Sequence, residues 1–247
     1  MACQRRRLRF IDLSTPLKNE SHETLGPRIT YQEHKAGAAA LGPAFGLASS
    51  DFPEGMFAAT ETLTLSTHSG SHLDAPYHYW PTSEGKPART IDQVPLEWCY
   101  GDGVVLDFTH KRRGDSISVQ DVQQALDKIG YRLNPFDIVL IRTDTYKHFG
   151  EPGYEHMHPG MSPEATRWLI DQGIKVMGID AWGWDRPFDI MVSEIKQGVK
   201  GKLWAAHFVG REREYCHMEK LANLDKIPKP CGFKVAAFPV NIERASA

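Results

Sequence analysis

Residues 68–78 read HSGSHLDAPYH, and no other stretch restricts the chain so tightly. A helix through it is disfavoured, because Gly70 and Pro76 both interrupt one. The preceding ETLTLST alternates polar and apolar residues, which predicts a half-buried strand over Glu61–Thr67. An extended chain gives His68, Gly70, His72, Asp74, Pro76 and His78 one parity, and hence one face. A straight strand would still hold His68 and His72 about 13 Å apart, at about 3.3 Å per residue. One ion with bonds of about 2.0–2.1 Å cannot span that gap. A shared site therefore requires a bend at Ser69-Gly70-Ser71, where glycine tolerates backbone angles that other residues avoid.

On the residues alone, three readings of this stretch stand side by side. It is a metal cradle, a Ser/His/Asp nucleophilic site, or a hydrogen-bonded turn. Ser69 and Ser71 lack the GxSxG elbow of a serine nucleophile. In a cradle, His72 and Asp74 join His68, and the two oxygens of Asp74 complete one shell or bridge two ions. His78 lies beyond Pro76. A histidine titrates near neutrality, so His78 suits the role of general base.

The rest of the chain reads as α/β. Compact β-rich runs occur at Leu8–Leu13, Val104–Phe108, Ile138–Thr143, Lys175–Ile179 and Phe233–Pro239. Ser118, with Asp121 three residues on, predicts a capped helix through Val122, Leu126 and Ile129. Ser162-Pro163 predicts a second helix, with proline at its first position. A third is expected over Glu219–Leu224. Strand–helix–strand order between about 104 and 180 implies an α/β core. Residues 16–60 read as a long loop or interface arm on a single domain of residues 1–247.

Composition removes several classes. The formal net charge is -2, so no field draws the chain to nucleic acid. The basic cluster Arg5-Arg6-Arg7 reads as a solvated face. No apolar run is long enough for a transmembrane helix. Cys3, Cys99, Cys216 and Cys231 form no CxxC pair, which fits a reducing cytoplasm and leaves His, Asp and Glu to hold any metal.

HSGSHLDAPYH resembles the HxGxHxDxPxH signature of the metal-dependent cyclase/hydrolase family. That family includes bacterial kynurenine formamidases, isatin hydrolases and polyketide-type cyclases. Further segments carry the resemblance: FIDLSTPL at 10–17, FDIVLIRTD at 136–144, HPGMSPEATRWL at 158–169, GIDAWGWD at 178–185 and EKLANLD at 219–225. The resemblance implies a swivelling β/β/α fold and a homodimer or homotetramer. It implies hydrolysis of an amide-like bond in a small aromatic or cyclic molecule, with ring closure on a polyketide-type aromatic as the alternative and a silent metal-binding homologue as a third.

It implies His68, His72 and Asp74 as metal ligands and His78 as the acid/base. His207 and Glu219 would hold a second ion bridged by Asp74, so one or two divalent ions, Zn²⁺ or Mn²⁺, are expected. Read without the resemblance, His207 after LWAA is a core histidine, and Glu219 is a carboxylate opening a helix. Trp182, Trp184 and Arg186 replace a smaller stretch of the formamidases and are expected to line a pocket for a flat anionic substrate, with His158 near it.

Overall fold

Ile138, Val139, Leu140 and Ile141 are all fully buried, so neither face of their strand meets water. Such continuous apolar runs belong to parallel strands covered on both sides. The strand Ile138–Arg142 pairs in parallel with Tyr100–Asp107 and with Val176–Ile179, which in turn pairs in parallel with Cys216–Glu219. Antiparallel strands close both edges: Cys231–Ala236 beside Tyr100–Asp107, and His72–Asp74 beside Cys216–Glu219. The result is a mixed six-stranded sheet. The computed structural model describes residues 8–19, 22–23 and 25–247, so Arg5-Arg6-Arg7 and Cys3 lie outside the described residues.

Alternation along each strand divides the core in two. Val104, Leu106, Val139, Ile141, Met177 and Ile179 face one cluster, with the helices Val119–Ile129 and Pro163–Asp171. Val105, Ile138, Leu140, Val176, Cys216 and Met218 face the other. Both helices begin as expected. Ser118 Oγ accepts from the Asp121 amide at 3.2 Å, and Asp121 Oδ2 accepts from the Ser118 amide at 2.8 Å. Ser162 Oγ accepts from the Ala165 amide at 3.0 Å, with Pro163 in the first helical position.

Four expectations are corrected. The segment 219–224 is no helix: Glu219 ends a strand, and Lys220 (φ 55°) and Asn223 (φ 59°) adopt left-handed backbone that a helix cannot contain. Leu8–Leu13 forms no strand, and Leu8 and Phe10 are exposed. The strand before the histidines runs over Thr60–Thr64 and is exposed throughout, because it pairs only with Arg28–Gln32 in a separate two-stranded ribbon. Residues 16–60 are therefore not simply a loop. They hold Arg28–Gln32, the helix His34–Leu41 and three short 3₁₀ turns.

Candidate metal centre

Pairing register assembles the site. Across the antiparallel edge His217 lies opposite Asp74, and Glu219 opposite His72. Leu73 and Met218, between them in sequence, enter the second core cluster, so the four ionisable side chains share the other face. Directly opposed residues sit about 4.5–5.5 Å apart at Cβ, close enough to converge on one ion.

The remaining donors arrive through bends. Gly70 has φ 59°, the left-handed turn that brings His68 back toward the strand. The His68 and His72 ring centroids are 4.9 Å apart. His68 Nδ1 stands 2.8 Å from Asp74 Oδ1, and His72 Nε2 stands 3.2 Å from the same oxygen. Pro76 opens the single-turn helix Pro76–Tyr79, which puts His78 Nε2 3.8 Å from Asp74 Oδ2. From the turn His207–Arg211, His207 Nε2 reaches within 3.5 Å of Glu219 Oε1 and 3.8 Å of Asp74 Oδ2. His217 Nε2 lies 3.1 Å from Asp74 Oδ2 and 3.2 Å from Glu219 Oε1.

The electrostatics call for a cation. Burial opposes charge on Asp74 and Glu219, but the surrounding imidazoles win and hold both well below the usual carboxylate range. Burial likewise pulls His207 down, but the Asp185 and Glu219 carboxylates push it up to about 10. His72 is also raised: Asp74 and Glu219 overcome its burial. His72 Nε2 and Asp74 Oδ1 are buried and, although close to each other, form no well-aligned hydrogen bond. Orphaned donors and acceptors of this kind are costly unless an ion satisfies them. The outer nitrogens are already engaged: His72 Nδ1 donates to the Gly70 carbonyl (2.9 Å), and His207 Nδ1 donates to Asp185 Oδ2 (2.6 Å). Each leaves Nε2 aimed at the carboxylates; a hydrogen bond on the outer nitrogen fixes the tautomer and ring orientation in the same way in metal-binding histidines. The donor set fits a divalent metal. The donors of Asp74, His207, His217 and Glu219 lie within 4.8 Å of one another, as do those of His68, Asp74 and His78.

His78 differs from its neighbours. Its side chain is 20% exposed. Burial, ahead of the opposing pull of Asp74, lowers it to about 4, so it is neutral at physiological pH. It stacks near His68, with centroids 4.0 Å apart, and meets the edge of Trp204 at 5.1 Å.

A cavity of about 130 Å³ opens beside this cluster, bordered by His68, His72, His78, Trp182, Phe188 and Trp204. A larger groove of about 600 Å³, near Trp80, Arg167 and Arg211, contains none of the cluster. Trp182 lines the cavity as expected, but Trp184 does not. It is fully buried, stacked 5.2 Å from His217, with Nε1 donating to Thr166 Oγ1 at 3.0 Å. Its backbone amide donates to Glu219 Oε1 at 2.7 Å, so it steadies that carboxylate from behind. Arg186 borders the cavity, but Glu194 holds its guanidinium through two bonds of 2.8 and 2.6 Å. His158 also borders it, with its ring nitrogens facing the Pro159 and Glu155 carbonyls at 2.8 and 3.2 Å.

Trp204 and His217 escaped the sequence reading. Trp204 stacks 4.3 Å from His207, and nothing in its local sequence signals that. His217 had a signal: it stands two residues before Glu219, at one parity, in what is a strand.

A mixed sheet whose edge register gathers histidines and carboxylates around a small aromatic cavity defines a metal-dependent enzyme class, and the comparisons agree. Residues 11–186 match the Cyclase family, described as "Putative cyclase", and the chain belongs to that family. An isatin hydrolase of Roseibium aggregatum is 26% identical over 203 residues, 78% of this chain and 73% of that protein. A kynurenine formamidase of Bacillus cytotoxicus is 23% identical over 176 residues, 69% of this chain and 68% of that protein. In structure, isatin hydrolase A from Ralstonia solanacearum superposes with a TM-score of 0.73 at 23% identity, covering 96% of this chain and 87% of that one.

Proposed function

We propose that this chain is a metal-dependent hydrolase that cleaves an amide-like bond, in a cyclic amide, formamide or lactone, of a small aromatic or cyclic substrate. The observation that carries it is the convergence of buried imidazole nitrogens and carboxylate oxygens, with His72 Nε2 and Asp74 Oδ1 in close contact but without well-formed hydrogen bonds, beside an aromatic cavity. The names isatin hydrolase and kynurenine formamidase among the relatives support the C–N bond. The cavity of about 130 Å³ favours a compact ring system, since pockets for drug-sized ligands run to about 300–1,000 Å³.

His68, His72 and Asp74 would hold a catalytic ion, with Asp74 bridging to a second held by His207 and Glu219. Bound there, a divalent ion supplies Lewis acidity and lowers the pKa of a coordinated water. Zn²⁺ and Mn²⁺ both suit the donors. His78, neutral and open to the cavity, takes the proton from the attacking water and returns it to the leaving nitrogen or oxygen. Trp182, Phe188 and Trp204 supply flat apolar walls that orient an aromatic ring and exclude bulk water. Lys220 ion-pairs with Glu23 and donates to the His68 carbonyl at 2.8 Å, which fixes the loop carrying His68.

Two further readings accompany this one. The chain works as a homodimer or homotetramer, supported by the exposed apolar side chains Tyr31, Leu63 and Leu65 on and beside the two-stranded ribbon. It resides in the cytoplasm, supported by the free thiols Cys99, Cys216 and Cys231 and by the lack, among the described residues, of a helix able to cross a membrane.

The test is a turnover screen of N-formyl aromatics, isatin-like imides and lactones on protein loaded with Zn²⁺ or Mn²⁺. Hydrolysis of one class should appear, vanish on chelation and return with metal. Protein that binds no divalent ion after purification without chelators overturns the reading.

A further inference from the structure

Building on the proposed metal-dependent hydrolase, we infer that the two metal positions are unequal. His217 is the fourth protein donor of the second, and it makes that position a closed, structural site. Only the first position, among His68, His72 and Asp74, remains open for chemistry.

Three observations carry this. The first is donor number. Four side chains, Asp74, His207, His217 and Glu219, converge on one point. Neighbouring donors there are separated by 3.1, 3.2, 3.5 and 3.8 Å. A tetrahedron with bonds of about 2.0–2.1 Å has edges of roughly 3.3–3.4 Å, in the middle of that range. Four protein ligands mark a structural zinc site, whereas catalytic sites keep a position free.

The second is the tautomer of His217. Tyr79 Oη donates its proton to the Asp74 carbonyl (3.3 Å) and accepts from the His217 backbone amide (3.1 Å). With the Tyr79 proton on that carbonyl, His217 Nδ1, 3.0 Å from the same oxygen, is the donor. That leaves the Nε2 lone pair pointing at two carboxylate oxygens. Lone pair against carboxylate is repulsive unless a cation lies between them, so the geometry suits ligation. Trp184 and Tyr79 hold the ring from either side, with centroids 5.2 and 5.1 Å away and planes within 17° and 16°.

The third is access. His207 and Glu219 border the aromatic cavity, as His68, His72 and His78 do, whereas His217 is fully buried and borders no part of it. His217 therefore closes the second position on the side away from substrate.

The experiment is a Co²⁺ titration of the metal-free full chain, followed by visible absorption, with ion counting by mass spectrometry. One equivalent should give the intense bands of four-coordinate cobalt, and the other the weak bands of a higher-coordinate, water-bearing ion. In His217→Phe, which keeps the aromatic stack, the intense bands should disappear. The ion count should fall from two to one, or affinity for that equivalent should drop more than about a hundredfold, beyond the cost of losing an outer-shell partner. Two weak, high-coordinate signals in the unaltered protein overturn the inference even if His217→Phe fails to fold. So does a folded His217→Phe that retains both ions and both spectra. In either case the hydrolase reading survives if chelation still abolishes turnover. Binding of no cobalt at all overturns both.

Discussion

Gly70 turns a strand that could not reach one ion into a cradle that can. At φ 59° an alanine there is strained by about 1–2 kcal/mol, and its Cβ would stand 2.8 Å from Leu17 Cδ2. The leucine tip can move; the backbone angle cannot be relieved without displacing His68. Gly70→Ala should therefore lower the stability of the metal-free chain by about that amount and weaken the first ion further, as denaturant melts and metal competition would show. An unchanged metal affinity would separate the bend from ligation. His78 calls for the opposite pattern. His78→Ala should keep its ions and lose at least about a hundredfold in turnover, the scale of general acid–base catalysis. Near-normal turnover in that variant would remove His78 from proton transfer.

At the scale of elements, the strand Val176–Ile179 ends at Asp180, which ties it to the neighbouring strand. Asp180 accepts from the Thr143 amide (2.6 Å), the Thr143 hydroxyl (2.7 Å) and the Asp144 amide (2.9 Å). Burial outweighs these bonds and pushes its carboxyl up to about 7. The folded value exceeds the unfolded one of 3.8, so the contribution of this group is complete below about pH 4 and is lost as pH rises through about 7. Unfolding free energy measured from pH 4 to 8 should fall more steeply in the unaltered protein than in Asp180→Asn; parallel curves would refute the assignment.

The core strands around this one were legible because buried parallel strands write unbroken apolar runs, and the Ser118 and Ser162 helices because caps are local chemistry. EKLANLD misled for the converse reason. Its composition suits a helix, but Lys220 and Asn223 take left-handed angles fixed by tertiary contacts, among them the ion pair of Lys220 with Glu23, almost two hundred residues away in sequence. Reading Glu219 at a helix start also concealed His217, whose kinship with Glu219 exists only at strand parity. The convergence of His68, His72 and Asp74 was legible since these residues and their bend lie within one segment, whereas the places of Trp204 and His217 depend on strand register and turns that local sequence does not encode.

At the scale of the molecule, the ribbon of Arg28–Gln32 and Thr60–Thr64 stands apart from the main sheet. Register sets Ile29 against Leu63 and Tyr31 against Glu61 on one side, largely apolar, with Leu65 continuing it just past the ribbon. The opposite side carries Thr30 and Thr62. Tyr31 is 59% exposed, Leu63 46% and Leu65 42%, although their partners in sequence are polar. An isolated two-stranded ribbon is at best marginally stable in water, so an apolar face of this kind needs a cover. In the proposed homo-oligomer, a second copy of the chain would supply one. Sedimentation should then show a dimer or tetramer, and Tyr31→Lys combined with Leu63→Glu should shift it toward monomer without unfolding the main sheet, whose core these side chains do not enter. A chain that sediments as a monomer up to high concentration would show that the ribbon is held by its own pairing alone, and would remove the oligomer from the proposed function while leaving the metal chemistry intact.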